Sequence, residues 1–251
     1  MAALRRSATK VPAVTLAFWV TKALTTGMGE STSDYLVHRM PPVLAVALGG
    51  VALLGALAIQ FPARRYVPWK YWLAVAMVGV FGTMAADVLH VGFHVPYLVS
   101  SVFFAMALAA VFGLWHRTEK TLSIHSIYTR RREVFYWAAV MTTFALGTAV
   151  GDLTAITLHL GYFSSGLLFA VVFAVPAVAY WRFKLNAIFA FWFAYIVTRP
   201  LGASFADWMG VSHARGGLAW GAGPVSLALA GLIVALVAYL TVTHQAPASS
   251  A

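Results

Sequence analysis

The sequence predicts an all-α integral membrane protein with about eight transmembrane helices, arranged as four tandem parallel two-helix repeats with both termini cytoplasmic. Three observations predict it: apolar stretches long enough to cross a bilayer, one tryptophan–glycine–aspartate motif that recurs four times, and a lopsided distribution of lysine and arginine.

The apolar stretches come first. Of 251 residues, 61% are hydrophobic and 10% charged, with a mean hydropathy of +0.82; a soluble domain carries about 25% charged residues. A spanning helix needs about 20 mostly apolar residues. Eight such stretches run over 12–36, 42–61, 69–94, 97–115, 134–159, 162–181, 185–209 and 218–242. Breakers divide them at Pro41-Pro42, Pro62 to Pro68, Pro96, the polar run His116 to Glu133, Gly161, Arg182 to Lys184 and Gly216-Gly217. A basic start before an apolar run could read as a secretory signal, but Lys22 interrupts the run and no cleavage-type site follows, so it reads as a retained first helix. The chain lacks cysteine, which excludes disulfides and thiolate metal sites.

The motif comes next. Trp19, Trp72, Trp137 and Trp192 each follow an aromatic residue, namely Phe18, Tyr71, Tyr136 and Phe191. Ten residues after each tryptophan stands Gly29, Gly82, Gly147 or Gly202, and five further on stands Asp34, Asp87, Asp152 or Asp207. These are all the aspartates of the chain. The repeats occupy 11–61, 69–115, 134–181 and 185–242 of a single transmembrane domain, and two spans per unit make every copy enter the membrane in the same direction. Motif helices should line the centre and the plainer helices face lipid. Tryptophan near a helix end reads as an interface anchor, and glycine as a site of close helix approach.

Basic residues set the orientation. Arg5, Arg6, Lys10, Arg64, Arg65, Lys70, Arg117, Lys120, Arg130, Arg131, Arg132, Arg182 and Lys184 fall on one side, Arg39 and Arg215 on the other, with Lys22 and Arg199 inside spans. The positive-inside rule puts both termini in the cytoplasm. The net charge of +10 therefore reports topology and contact with anionic lipid headgroups, centred on Arg130-Arg131-Arg132, and excludes nucleic acid as a partner.

Charges inside the spans are the candidate site. A carboxylate within hydrocarbon costs at least about 2.5 kcal/mol on insertion scales, so such groups pair, face water, or cap helix ends. Lys22, Thr26, Glu30 and Asp34 form an i, i+4, i+8, i+12 stripe on the first helix, and Arg199 precedes Asp207 by eight residues on the seventh. The substrate or ion pathway expected is Lys22, Glu30, Asp34, Asp87, Asp152, Arg199 and Asp207; a set of structural ion pairs is the other reading. Asp87, His90 and His94 at i, i+3, i+7, and Asp152 with His159 at the same seven-residue offset, suit a divalent metal ion, a proton relay or plain interfacial histidines. Arg199-Pro200 suggests a kink.

On K-A-L-T-T-G-M-G-E-S-T-S-D at 22–34, F-G-T-M-A-A-D at 81–87, L-G-T-A-V-G-D at 146–152 and R-P-L-G-A-S-F-A-D at 199–207, the chain resembles an uncharacterised family of bacterial repeat-containing membrane proteins, the predicted membrane-anchored repeat proteins. The resemblance spans roughly Lys10 to Tyr239 and implies a bacterial inner-membrane location with no assigned activity. The expected function is a small transporter or channel-like protein for a cation, a divalent metal ion or one coupled to protons. The alternative is a sensor or assembly module, in which a homo-oligomer would find a place, whose polar cluster is structural. An enzyme is not expected, since no G-x-S-x-G, H-E-x-x-H or phosphate-cradling loop is present. An intramembrane hydrolase on Asp87, His90 and His94 is the weakest reading.

Overall fold

The structure, a computed structural model, describes residues 9–245; Arg5 and Arg6 of the orientation argument lie outside the described residues. Long helices dominate, and no strand occurs among the described residues. In chain order they are α1 (Leu16–Arg39), α2 (Pro42–Gln60), α3 (Pro68–Asp87), α4 (Tyr97–Glu119), α5 (Arg130–Asp152), α6 (Tyr162–Phe183), α7 (Ala187–Gly210) and α8 (Ala222–Gln245). Seven of them, α2 to α8, are long and apolar enough to cross a membrane. The first is as long as any, at 24 residues, but carries Lys22, Glu30, Asp34 and Arg39.

Local chemistry starts the helices where the sequence places them. Thr15 caps α1 by accepting from Phe18 N at 3.2 Å, Thr129 caps α5 through Arg132 N, and Asn186 Oδ1 accepts from Ile188 N and Phe189 N to open α7. Proline at the first position starts α2 and α3, where its missing N–H is no loss. Two boundaries move. Helix α8 begins at Ala222, because residues 218–221 turn back to donate backbone hydrogen bonds to the carbonyls of Trp208, Val211, Met209 and Gly210, which end α7. At the other end Lys10 and Val11 are buried ahead of α1: Lys10 Nζ meets Glu133 Oε2 at 2.5 Å and the Phe61 carbonyl at 3.0 Å, while Gln60 Nε2 donates to Glu133 Oε1.

The motif helices form the centre. Helix α1 packs on α3, α3 on α5, α5 on α7, and α7 again on α1, a closed ring with one member from each repeat. The plain helices lie outside, each leaning on the motif helix of the next repeat: α2 on α3, α4 on α5, α6 on α7, and α8 back on α1. Most of α3, α5 and α7 is buried and less than a third of each plain helix, matching the expected inner and outer roles. Outward on α2, α6 and α8 stand Val43, Val51, Leu54, Val171, Leu227 and Val234, each at least half exposed. That much apolar surface fits a hydrocarbon surround.

The repeat residues fit the same cyclic rule. A Cβ on Gly29 would strike the Gly79 backbone, on Gly82 the Phe144 side chain at 2.8 Å, on Gly147 the Arg199 side chain, and on Gly202 the Thr26 side chain. Each glycine thus receives the residue three before the next repeat's glycine, and backbone contact this close requires a missing side chain.

The tryptophans differ from their expected role as interface anchors. Trp72, Trp137 and Trp192 are buried and Trp19 is partly so. Each stacks on the preceding repeat's aromatic residue: Phe18 on Trp72 at 5.7 Å, Tyr71 on Trp137 at 5.7 Å, Tyr136 on Trp192 at 6.1 Å, and Phe191 on Trp19 at 5.7 Å. Position along the helix put them at the right depth, but the ring turns that face inward, where indoles fill space between helices.

Candidate functional site

Residues four apart along each motif helix build layers across the ring. Nearest the basic end, Phe18, Tyr71, Tyr136 and Phe191 form a buried aromatic plug, with Tyr71 and Tyr136 hydroxyls hydrogen-bonded at 2.5 Å. The next layer is Lys22, Val75, Val140 and Tyr195, all fully buried. Then come Thr26, Gly79, Phe144 and Arg199, and one turn further Glu30, Thr83, Thr148 and Ala203. The aspartates close the series.

Arg199 ties all four repeats together. Its Nη2 bonds Glu30 Oε2 of repeat 1 at 2.5 Å, Thr83 Oγ1 of repeat 2 and Thr148 Oγ1 of repeat 3 at 2.8 Å, while Nη1 donates to the Thr26 carbonyl at 3.3 Å. Both members of the Arg199–Glu30 pair are buried. Such a pair repays its desolvation only when further hydrogen bonds support it; the two threonines and the Thr26 carbonyl serve Nη1 and Nη2, while Nε is buried without a partner. Pro200 makes the position special as well: it contributes no N–H, and its ring packs against Gly147 and Gly151 of α5.

Lys22 shares its helix face with Glu30 but pairs with no carboxylate among the described residues. Its Nζ is buried without a hydrogen-bond partner and lies over the Phe144 ring at 4.0 Å and the Tyr195 ring at 4.4 Å. Arg199 stands between it and Glu30 in the layer order and already occupies that carboxylate, so aromatic faces are what remain for the amine.

Asp34, Asp87, Asp152 and Asp207 all reach the far end of the ring, each half-buried. No hydrogen bond or ion pair holds any of their carboxylates among the described residues. They act on one another electrostatically, with Asp87 feeling Glu30, Asp152 and Asp34, and Asp207 feeling Glu30, Asp34 and Asp152. Three come closest: the carboxylate oxygens of Glu30, Asp34 and Asp207 lie within 4.8 Å of one another. A cavity of about 340 Å³ opens over them, lined by Ser31, Asp34, His38, Asp207 and Arg215.

His90, His94 and His159 do not join this group. Helix α3 passes after Asp87 into a π-helical turn, Val88–Gly92, and α5 after Asp152 into another, Leu153–Thr157. A π turn advances each residue by a smaller angle than an α turn, so the i, i+3, i+7 face expected for Asp87, His90 and His94 breaks up. His90 is buried, bonded through Nδ1 to the Val95 carbonyl and stacked on Tyr97 at 4.2 Å. His94 and His159 sit exposed in left-handed conformation at φ 55° and 54°. The structure therefore does not gather Asp87, His90, His94, Asp152 and His159 into one ligand set; among the described residues the close set is Glu30, Asp34 and Asp207. Thr83 and Thr148 escaped the sequence reading, although their place directly after the repeat glycine, in the register of Glu30, was visible.

A ring of apolar helices around a polar axis defines a membrane-type helical repeat protein. The chain belongs to the family described as Repeat of Unknown Function (DUF347), which matches it four times, at residues 17–66, 70–121, 135–186 and 190–246. No curated protein and no solved structure matches it.

Proposed function

We propose that this protein conducts or transports a cation along the axis of the ring, entering at the acidic end. The observation behind this reading is the convergence of five carboxylates, one per repeat plus Glu30, of which the four aspartates are unpaired and half-buried above a buried arginine. Acidic rings concentrate and select cations. The closest trio offers oxygen ligands only, which suits a proton or a hard cation better than an imidazole-seeking metal ion. A cation at Glu30 competes with Arg199 for the same carboxylate, and releasing that guanidinium would loosen the one contact joining all four repeats. The aromatic plug closes the path on the basic side.

The test uses proteoliposomes. Replacing Asp34, Asp87, Asp152 and Asp207 together by asparagine lowers cation flux by roughly tenfold or more with the helical spectrum unchanged; undiminished flux would overturn the reading and leave the aspartates as structural caps.

In this reading α1 is an eighth span, inserted with the others in a bacterial inner membrane, and the basic loops face the cytoplasm with both termini. The absence of cysteine makes the check direct. Ser212→Cys, between α7 and α8, is labelled by an impermeant maleimide on intact cells, and Ser123→Cys, between α4 and α5, only after lysis. The reverse pattern would invert the topology.

A further inference from the structure

A second cavity lies away from the polar axis, at the basic end, in the groove between α1, α6, α7 and the connection before α5. It measures about 450 Å³, within the ~300–1,000 Å³ of small-molecule sites. Its walls are mostly apolar: Val14 just ahead of α1, Trp19 from α1, Phe173 and Pro176 from α6, Ile188 and Phe191 from α7. The groove exists because Ala187, Ala190 and Ala194 put small side chains on one face of α7, opposite the proline of α6. Its outer edge is open, with Ala177 and Tyr180 exposed, and Trp181 and Phe183 beside it are 86% and 76% exposed.

The chain next to the lining carries one sign of charge. Arg182 stands in the last turn of α6, two residues after Tyr180 of the lining, Lys184 caps that helix, and Lys120 begins the connection whose residues Leu122 to His125 form the remaining wall. All three cations are exposed and none has a carboxylate partner among the described residues, the neighbouring Glu119 being taken by Arg131 and Arg132. The wall is held in place by the Trp192 indole, which donates to the Leu122 carbonyl at 2.9 Å.

We propose that this groove binds an anionic phospholipid, one acyl chain lying along Phe173, Pro176 and Ile188 and the headgroup phosphate against Arg182, Lys184 and Lys120. A basic rim over an apolar slot between membrane helices, at headgroup depth, is the arrangement that retains such lipids. The chain would lie against Trp19 and Phe191, which stack at 5.7 Å and belong to the ring of aromatic contacts that closes the central axis. The lipid thereby braces the plug from outside.

Native mass spectrometry of the whole protein released from detergent tests this, after exchange into equal amounts of phosphatidylglycerol and phosphatidylcholine with identical chains. The wild type retains phosphatidylglycerol preferentially. Arg182→Glu with Lys184→Glu, both exposed, lowers that preference by roughly tenfold or more. Ala177→Trp, which fills the slot from its open edge, removes retention of both lipids while leaving the helical spectrum intact. Equal retention of the two lipids by the wild type, or unchanged phosphatidylglycerol in either variant, overturns the proposal.

Discussion

Arg199→Met is expected to cost about 3–5 kcal/mol of stability, the range for removing one partner of a buried ion pair. The loss comes from what stays behind: a buried Glu30 carboxylate, and Thr83 and Thr148 hydroxyls without their shared partner. Glu30→Met leaves the opposite charge stranded and should cost as much. The pair of changes together should recover most of the stability, because a well-packed apolar pair replaces a buried ion pair at little or no cost. Thermal unfolding in detergent of the two single variants and the double variant measures this. A double variant no better than either single one would mean that Arg199 and Glu30 stabilise through separate contacts. The double variant also separates structure from transport: folded but without flux is the outcome that fits a cation competing for Glu30.

Gly202→Val is expected to prevent the ring from closing. Even a single Cβ there falls on the Thr26 side chain and within 2.8 Å of the Ala23 carbonyl, a backbone atom of a neighbouring buried helix. Overpacking of a tight core costs about 1–3 kcal/mol when neighbours can shift, and here the neighbour is α1, held by α3, α7 and α8 together. Alanine at Gly55 and Gly113, where an added methyl meets nothing, should instead be neutral or stabilising by about 0.5–1 kcal/mol through better helix propensity. Yields of monodisperse protein and unfolding midpoints for the three variants decide the matter; equal tolerance at all three positions would contradict the close approach.

The sequence carried much of this because the repeat and the apolar stretches are one-dimensional signals. Spacing reveals that Trp19, Gly29 and Asp34 recur, and i, i+4 counting correctly puts Lys22, Thr26, Glu30 and Asp34 on one inward face of α1. What spacing lacks is azimuth and the identity of the neighbour. Tryptophan at a helix end has the same pattern whether it faces a headgroup or the next repeat, and only packing chose the second. The histidine stripe failed because counting assumed an unbroken α-helix, whereas π turns intervene after Asp87 and Asp152. Lys22 shares a helix face with Glu30, yet Arg199, which takes that carboxylate, lies on a helix far away in sequence. The cyclic rule, by which each repeat's tryptophan, glycine and plain helix engage a neighbouring repeat, is a property of three dimensions.

The closing contact of the ring, α7 against α1, sets a problem for biosynthesis. Helix α1 is made before the other motif helices, yet Arg199, the guanidinium that neutralises Glu30, follows 169 residues later. At about 5–20 residues per second this gap is roughly 10–30 s. Throughout that interval Glu30 lacks its guanidinium and α1 lacks the cover of α7 and α8, so the ion pair at the centre of the ring forms only when the last repeat arrives.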